Sequence, residues 1–356
     1  MDMQVPIQIT ETTPARWARV NDQLQRPLRE LRLSVIDRCN FRCTYCMPAD
    51  SLQGRGVFLP LANLLTDREI VTLVTAFVAN GVKKLRITGG EPLVRPGLPA
   101  LIEKLSVIDG LDDIAMTTNG VLLPRHAVDL HNAGLRRITV SLDSLDEAVL
   151  HLMSGGKGKL AEILDGINAA VAAGFTHLKI NCVVQRGVND HTVLDLLEHF
   201  RGSGHSVRLI EYMDVGNSNH WELSQVVPSA EWVERIAARW PIEPVGAQRA
   251  SETAKRYRYK DGSGDGADEI GLISSISQPF CGGCTRARLT ADGMFYTCLF
   301  ATAGKNMMPL LRQAQNSEQL AELINQTWQQ RTDRYSEERS QLGASREKVE
   351  MYRIGG

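Results

Sequence analysis

Several features are missing from this 356-residue sequence, and each absence excludes a class of protein. No apolar run approaches the roughly 18 residues that span a bilayer, so we expect no association with a membrane. Neither charge sign is in excess, because 40 lysines and arginines nearly cancel 41 aspartates and glutamates, and we therefore expect no nucleic-acid partner. The first thirty residues lack the apolar core of a signal peptide, which predicts a cytoplasmic protein.

Short β-rich runs alternate with helical runs from residue 31 onward. Six runs predict strands, at 31–37, 83–88, 113–118, 136–142, 177–184 and 207–213. Three of the intervening helical runs end at a glycine, Gly81, Gly134 or Gly174, followed by an apolar residue, as in helix C-caps. Repeated βα units indicate a parallel sheet. Six units are two short of a complete barrel, so we predict an α/β fold with a partial (β/α)6 TIM-type barrel.

The domain organisation is predicted from changes in composition. We expect a flexible leader over residues 1–29, the partial barrel over 30–245, and a C-terminal domain that closes the barrel mouth over 246–356. Residues 241–269 contain two prolines and the run DGSGDGADE, which predicts turns and a mobile loop.

Polar and apolar side chains alternate along the predicted strands. One face of the predicted sheet carries four charged residues in the same phase, namely Arg32, Lys84, Arg86 and Lys179. Buried lysine and arginine side chains are costly unless they are paired, so a barrel lumen lined by them favours an anionic ligand. The alternative is a half-exposed sheet whose charges are solvated.

The first cysteine group lies just after the first predicted strand. Cys39, Cys43 and Cys46 have a C-x3-C-x2-C spacing. Three thiolates suit an iron–sulfur cluster that normally takes four ligands, and the missing ligand leaves one iron open. A zinc site would usually be closed by four ligands, and no histidine lies near this loop.

The second cysteine group consists of Cys281, Cys284 and Cys298, with a C-x2-C-x13-C spacing. We expect a second three-cysteine cluster here, although a closed zinc ribbon with a distant fourth ligand remains the alternative. Arg286 and Arg288 flank this group, and planar guanidinium groups suit bidentate phosphate binding.

The first cysteine group resembles the signature of the radical S-adenosylmethionine (SAM) enzymes. Gly89-Gly90-Glu91-Pro92 follows the second predicted strand, where similar enzymes hold the methionine amine of SAM. The resemblance implies that the open iron chelates SAM and that a 5′-deoxyadenosyl radical takes a hydrogen atom from the substrate. The positions that match SAM contacts are Tyr45, Gly90, Ser141 and Met213.

The combined motifs resemble the GTP 3′,8-cyclase family from about residue 30 to the end of the chain. They comprise both cysteine spacings, LRITGGEP at 85–92, TTNG at 117–120, TRAR at 285–288 and the terminal Gly-Gly. The resemblance implies two [4Fe–4S] clusters, the second of which binds the guanine ring, and a tail, Gly355 and Gly356, that enters the site. It implies GTP contacts at Arg32, Lys84, Arg86, Thr117, Lys179, Arg286 and Arg288, with Arg208 as a further candidate.

By the same resemblance, the chain is a lyase that converts GTP to (8S)-3′,8-cyclo-7,8-dihydroguanosine 5′-triphosphate, the first step of molybdenum cofactor biosynthesis. The radical would take hydrogen from C3′ of the ribose, and C3′ would bond to C8 of guanine. No side chain is assigned as a catalytic acid or base. The implied partners are GTP, an external electron donor and cyclic pyranopterin monophosphate synthase downstream, and a homodimer is compatible with the sequence.

The sequence leaves two other functional hypotheses open. The nearer is a different radical SAM enzyme with an auxiliary cluster, such as a peptide-modifying one. The other is a non-catalytic zinc-ribbon module that contacts nucleic acid, which would require zinc and a basic surface, and the balanced charge argues against it.

Overall fold

The computed structural model describes residues 20–49, 58–247, 251–262, 268–313, 317–341 and 346–355. The strands within these ranges are β1 Glu30–Ser34, β2 Lys84–Thr88, β3 Asp113–Thr118, β4 Arg137–Ser141, β5 Lys179–Val184, β6 Ser206–Glu211, β7 Ile242–Val245, β8 Lys255–Tyr259, β9 Glu269–Ile273, β10 Arg286–Leu289, β11 Met294–Tyr296 and β12 Lys305–Asn306. The helices are α1 Asp67–Ala79, α2 Leu98–Ser106, α3 Leu123–Asn132, α4 Glu147–Met153, α5 Leu160–Ala172, α6 Val193–Phe200, α7 Ser229–Arg239, α8 Met308–Gln313, α9 Ser317–Gln329, α10 Tyr335–Glu338 and α11 Met351–Ile354.

These strands form one mixed sheet in the order β12-β11-β10-β1-β2-β3-β4-β5-β6-β9-β8-β7. Strands β1 to β6 lie side by side and parallel, which confirms the α/β fold and the six predicted strands. The C-terminal half adds two more parallel strands, β10 beside β1 and β9 beside β6. The sheet of the partial barrel is thus extended at both edges by strands from the C-terminal half.

Helices pack on the outer face of the parallel strands because their apolar residues lie in one phase. Leu31 and Leu33 of β1 are fully buried, whereas Arg32 between them is only partly buried and lines a cavity on the opposite face. The predicted glycine caps are confirmed, since Gly81, Gly134 and Gly174 have φ of 102°, 99° and 103°. Helix α1 begins at a capping box.

The prediction of turns and a loop over 241–269 is wrong for much of that segment. Residues of this stretch form β7 and β8 and begin β9, and β8 pairs antiparallel with both neighbours. Pro244 is compatible with this arrangement because β7 is the edge strand, where a missing N–H costs no ladder hydrogen bond. Residues 263–267 lie outside the described ranges.

The predicted flexible leader is also wrong for residues 20–29, whereas residues 1–19 lie outside the described ranges. Val20 and Leu28 are 3% and 1% exposed, and Asn21 forms an antiparallel bridge with Pro27. Trp328 of α9 fixes this segment, because its indole N–H donates to the Arg26 carbonyl at 3.0 Å. The boundary near residue 245 stays a prediction, and the sheet runs continuously across it.

Among the described residues, none of the helices is long and apolar enough to cross a bilayer.

Candidate active site

A cavity of about 1170 Å³ runs along the inner face of the sheet. It is lined by both cysteine triads and by every other predicted site residue except the two terminal glycines, namely Tyr45, Gly90, Ser141, Met213, Arg32, Lys84, Arg86, Thr117, Lys179, Arg286 and Arg288. Arg208 lines it as well. The structure therefore brings these residues together, while their individual roles stay predictions.

The two triads approach the cavity from opposite ends of one strand pair. Cys39, Cys43 and Cys46 follow the C-terminal end of β1, whereas Cys284 precedes the first residue of β10. Because β1 and β10 are parallel and in register, the two triads lie toward opposite ends of this strand pair. A five-residue strand spans roughly 16 Å, so the cavity offers a site between the triads that is long enough for a nucleotide.

The loop after β2 holds the first cysteine loop through close backbone contacts. The Gly90 N–H donates to the Ile36 carbonyl at 2.7 Å, and the Glu91 N–H donates to the Arg38 carbonyl at 2.8 Å. A Cβ atom at Gly90 would lie 2.2 Å from the Arg38 carbonyl oxygen. The Gly-Gly pair is therefore required for these two loops to approach each other.

The TTNG run has an explanation in the same network. The buried Glu91 carboxylate accepts from the Thr118 hydroxyl at 2.7 Å and from the Asn119 N–H at 2.8 Å. The Asn119 side chain donates to Asn40 at 2.7 Å, in the loop that carries the first triad. Burial raises the pKa of Glu91 to about 7. These contacts fasten the ends of β2 and β3 to the cysteine loop.

The thiols of the first triad are buried, and burial disfavours their ionised form. It raises the pKa of Cys39 to about 11, and the pKa values of Cys43 and Cys46 lie above their ordinary range for the same reason. The Phe41 N–H donates to the Cys39 sulfur at 3.3 Å. Thiolates here would be stabilised by a bound cation, as a metal-binding loop requires.

One wall of the first triad is formed by β4 and β5. The Tyr45 hydroxyl donates to Asp143 at 2.8 Å, and the other Asp143 oxygen accepts from the Val183 N–H at 2.8 Å. Burial raises the pKa of Asp143 to about 6. Ser141 and Met213, two further predicted SAM contacts, line the same cavity.

The second triad has a different electrostatic environment. Burial alone would raise the pKa of Cys284, but Arg286 and Arg331 outweigh burial and lower it to about 6. Burial raises the pKa of Cys298 to about 12. The Arg286 guanidinium also stacks over the Phe280 ring at 5.1 Å. The loop therefore combines a ready thiolate with fixed positive charge.

The lumen between the triads is strongly cationic. The Glu30 carboxylate lies 3.4 Å from Arg32 Nε and 3.7 Å from Arg86 Nε. Burial alone would raise the pKa of Glu30, but the neighbouring cations outweigh burial and lower this pKa to about 2. Burial, together with Arg208 and other cations, lowers the pKa of Lys179 to about 7. Within the described part of the chain, neither Arg32 Nε nor Arg86 Nε has a hydrogen-bond acceptor, so these buried donors suit an anionic ligand.

The C-terminal tail reaches the cavity wall. Arg288 donates to the Ile354 carbonyl at 3.3 Å and to the Gly355 carbonyl. Gly355 has φ of 73°, and a Cβ atom there would lie 2.3 Å from the Thr88 hydroxyl. The tail therefore lies between β2 and β10, and only glycine fits at that position, while Gly356 lies outside the described residues.

Sequence reasoning missed two groups of residues near the site. Asp22, Arg26 and Arg331 lie beneath the second cysteine loop, and no local motif marks them. Asp214, three residues after the end of β6, accepts hydrogen bonds from residues near the tail. The position of Asp214 after a strand could have identified it, because functional residues collect at such strand ends.

The donor chemistry of the two triads, three free thiols each, fits iron–sulfur clusters. All six triad thiols are free, and among the described residues no group of three His, Cys, Asp or Glu side chains converges on one ion. In an iron–sulfur cluster each cysteine ligates a separate iron, so the sulfur atoms need not converge.

Comparisons with known proteins agree with this arrangement. Residues 33–200 match the model of the Radical SAM superfamily, and residues 205–337 match Molybdenum Cofactor Synthesis C. A GTP 3′,8-cyclase of Xanthomonas campestris pv. campestris (strain B100) is 53% identical over 339 residues, which are 95% of this chain and 98% of the relative. The chain belongs to the GTP 3′,8-cyclase family. As a radical SAM family member, it uses SAM and an iron–sulfur cluster.

Other members of the GTP 3′,8-cyclase family are similar over comparable lengths. The relative from Acidothermus cellulolyticus (strain ATCC 43068 / DSM 8971 / 11B) is 48% identical over 90% of this chain and 89% of its own. The relative from Staphylococcus aureus (strain MRSA252) is 46% identical over 95% of this chain and 99% of its own length. Among solved structures, Streptococcus suis SuiB bound to S-adenosylmethionine matches with a TM-score of 0.55 at 14% identity, over 84% of this chain and 68% of SuiB, which supports the fold alone.

Proposed function

We propose that this chain catalyses the 3′,8-cyclisation of GTP to (8S)-3′,8-cyclo-7,8-dihydroguanosine 5′-triphosphate, the first step of molybdenum cofactor biosynthesis. The observation that carries the proposal is the shared cavity, which both cysteine triads line together with the cationic side chains between them. Family membership supports the same substrate, because the relatives are named GTP 3′,8-cyclase.

The first triad holds the cluster that works with SAM in this proposal. Cys39, Cys43 and Cys46 would hold a [4Fe–4S] cluster through three thiolates, one ligand short of the usual four, so that the amino and carboxylate groups of SAM could bind to it. The SAM contacts are Tyr45, Gly90, Ser141 and Met213. The chemistry that a reduced cluster and SAM supply when bound is a carbon-centred radical able to remove hydrogen from C3′ of a ribose. Asp143 positions Tyr45 by accepting a hydrogen bond from the Tyr45 hydroxyl.

The second triad and the lumen hold the nucleotide. Cys281, Cys284 and Cys298 would hold a second [4Fe–4S] cluster through three thiolates, and this cluster would supply a binding site for the guanine ring. The cationic and polar side chains that contact GTP are Arg32, Lys84, Arg86, Thr117, Lys179, Arg286 and Arg288, with Arg208 as a further contact. Their role is to orient the ribose between the triads and to neutralise the triphosphate, which costs little reorganisation because the charges are fixed.

The tail and the remaining partners complete the proposal. In this proposal the tail, Gly355 and Gly356, enters the site, because Arg288 donates to the Gly355 carbonyl and a chain without side chains can pass close to the substrate. The reaction takes its electron from an external donor, and its product passes to cyclic pyranopterin monophosphate synthase. A cytoplasmic location, a homodimer and a C-terminal domain from residue 246 belong to the same proposal.

Anaerobic reconstitution with iron and sulfide, followed by SAM, reductant and GTP, tests the function. We expect about eight irons per chain, from two four-iron clusters, and 5′-deoxyadenosine that forms only with GTP. Replacing all three cysteines of one triad by alanine should halve the iron, whereas Cys182→Ser, a buried thiol outside both triads, should leave the iron unchanged.

Two outcomes would contradict the proposal. One zinc per cysteine group without SAM cleavage would identify zinc-ribbon chemistry instead. SAM cleavage that needs a peptide rather than GTP would identify a different radical SAM reaction.

A further inference from the structure

Charged side chains from the two ends of the chain meet beneath the second cysteine loop. The Asp22 carboxylate lies 2.6 Å from Arg26 Nε and 3.3 Å from Arg331 Nη1. None of these three side chains is more than 2% exposed. Buried charges are costly unless they are paired and hydrogen bonded, so their arrangement here is tightly constrained.

This buried network contacts the backbone of the second triad directly. Arg26 Nη1 donates to the Cys281 carbonyl at 2.9 Å and to the Asp333 carbonyl at 2.8 Å. Arg331 Nη1 donates to the Cys284 carbonyl at 2.8 Å. Two of the three cysteines in the triad are thus held by guanidinium groups that share one carboxylate.

The third cysteine is connected through its neighbour. The Thr297 hydroxyl donates to Asp333 at 2.6 Å, and Thr297 directly precedes Cys298. Arg331 Nε lies 3.4 Å from the same Asp333 carboxylate. All three cysteines are therefore linked to the buried arginines, the third through the partly exposed Asp333 carboxylate, although the cysteines lie on two separate loops.

We propose that Asp22, Arg26 and Arg331 are positioning residues for the second cluster, and this rests on the two-cluster proposal above. By fixing the Cys281 and Cys284 carbonyls, the two arginines set the direction of the adjacent Cα–Cβ bonds before iron binds. Residues that orient metal ligands commonly change metal affinity by about 10- to 100-fold when they are replaced. The first triad is held by the separate contacts of Gly90 and Asn119, so it does not depend on this network.

The test uses the full chain in two backgrounds, each with one triad replaced by serines so that iron reports a single site. Asp22→Asn and Arg26→Lys are introduced into both, and iron loss to a chelator is followed together with the visible spectrum. In the background that keeps only the second triad, we expect about tenfold faster iron loss. Arg26→Lys retains the charge, but a lysine cannot bridge Asp22 and two carbonyls. This variant should therefore lose iron faster than the parent protein, as Asp22→Asn does.

A matched control separates positioning from general stability. Glu231→Gln removes a carboxylate that pairs with Arg186 and Arg235 on the surface, and it should change neither site. In the background that keeps only the first triad, the Asp22 and Arg26 variants should retain iron like the parent protein. Thermal melting of the iron-free variants shows whether they fold.

Each outcome decides the proposal. Folded variants that keep iron at the second site as well as the parent would overturn it, as would equal iron loss at both sites, which identifies a general stabilising role. Iron retention by Arg26→Lys equal to that of the parent protein would also overturn the proposal. If the parent protein itself binds no iron at the second triad, the two-cluster proposal fails. This failure is distinguishable from failure of the positioning proposal, because it is seen in the parent protein without any substitution in the network.

Discussion

Replacing Asp214 by asparagine should release the C-terminal tail from the cavity. Asp214 follows β6, and its carboxylate accepts from Lys348 at 2.7 Å, Arg339 at 3.0 Å and Tyr335 at 2.6 Å. The side chains of Asp214 and Lys348 are only 8% and 12% exposed. Glu350 adds a second connection, because its carboxylate accepts from the Ser218 hydroxyl at 2.8 Å. The loop after β6 therefore holds the segment that leads to Gly355.

The magnitude follows from the burial of this carboxylate. Breaking a buried ion pair by neutralising one partner costs about 3 kcal/mol, because the remaining cations lose their counter-charge. If this cost falls on local opening of residues 346–355, the opening equilibrium rises by roughly 100-fold, at 1.4 kcal/mol per factor of ten. Hydrogen exchange of the Ile354 and Gly355 amides should accelerate by a similar factor, since both are bonded within this segment.

Hydrogen exchange measured by mass spectrometry checks this prediction. Asp190→Asn is the matched control, because Asp190 pairs with Arg235 in the loop after β5, away from the tail. Unchanged exchange over 346–355 in Asp214→Asn would refute the reasoning. So would an equal increase throughout the chain, which would indicate global destabilisation.

The same contact has a defined pH dependence. Burial would raise the pKa of Asp214, but Lys348, Tyr335 and Arg339 outweigh burial and lower it. A carboxylate with a lowered pKa stabilises the fold at pH values above its unfolded pKa, and this stabilisation is lost as the pH falls through the folded pKa. The tail should therefore stay closed at neutral pH and open only in acid.

Three further predictions concern the site itself. Gly90→Ala should lower the free energy of unfolding by about 3 kcal/mol in denaturant titrations, because its Cβ would overlap the Arg38 carbonyl, whereas Gly246→Ala, whose Cβ would meet no atom of the described residues within 4 Å, should change it by less than about 0.5 kcal/mol. The affinity for GTP should fall by up to about tenfold per pH unit from pH 7.5 to 9 in calorimetry, because the Lys179 ammonium, with a pKa of about 7, must be protonated to pair with phosphate; a flat profile would exclude Lys179 from the site. Arg286→Ala should weaken GTP binding, and unaltered GTP affinity would remove this arginine from the site.

Most of the barrel could be predicted because its signals are local. Strand phase, such as Leu31 and Leu33 opposite Arg32, depends only on the alternation of side chains along a strand. The glycines after the helices are equally local, and their positive φ values agree with the prediction. The strands β7 and β8 were missed because Pro244 and the glycine-rich run resemble a loop, and only pairing with β9 makes them strands.

The site was predictable where residues carry recognisable chemistry, and unpredictable where contacts join distant parts of the chain. Cysteine spacing identified both triads, and strand phase identified the lumen charges. The network beneath the second triad joins Asp22 to Arg331, and no local pattern reports a contact between residues so far apart in sequence. The contact between Asp214 and Lys348 was missed for the same reason.

The pairing of β1 with β10 determines the geometry of the whole site. Its register places Glu30 opposite Arg286 and Arg32 opposite Arg288, so the arginines of β10 share the phase of the lumen charges on β1. A shift of one residue would turn Arg286 and Arg288 toward the outer face, because side chains alternate with a period of two. The same shift would move Cys284 along β1 by about 3.3 Å relative to the first triad. One strand pair therefore determines both the relative position of the triads and the charge between them.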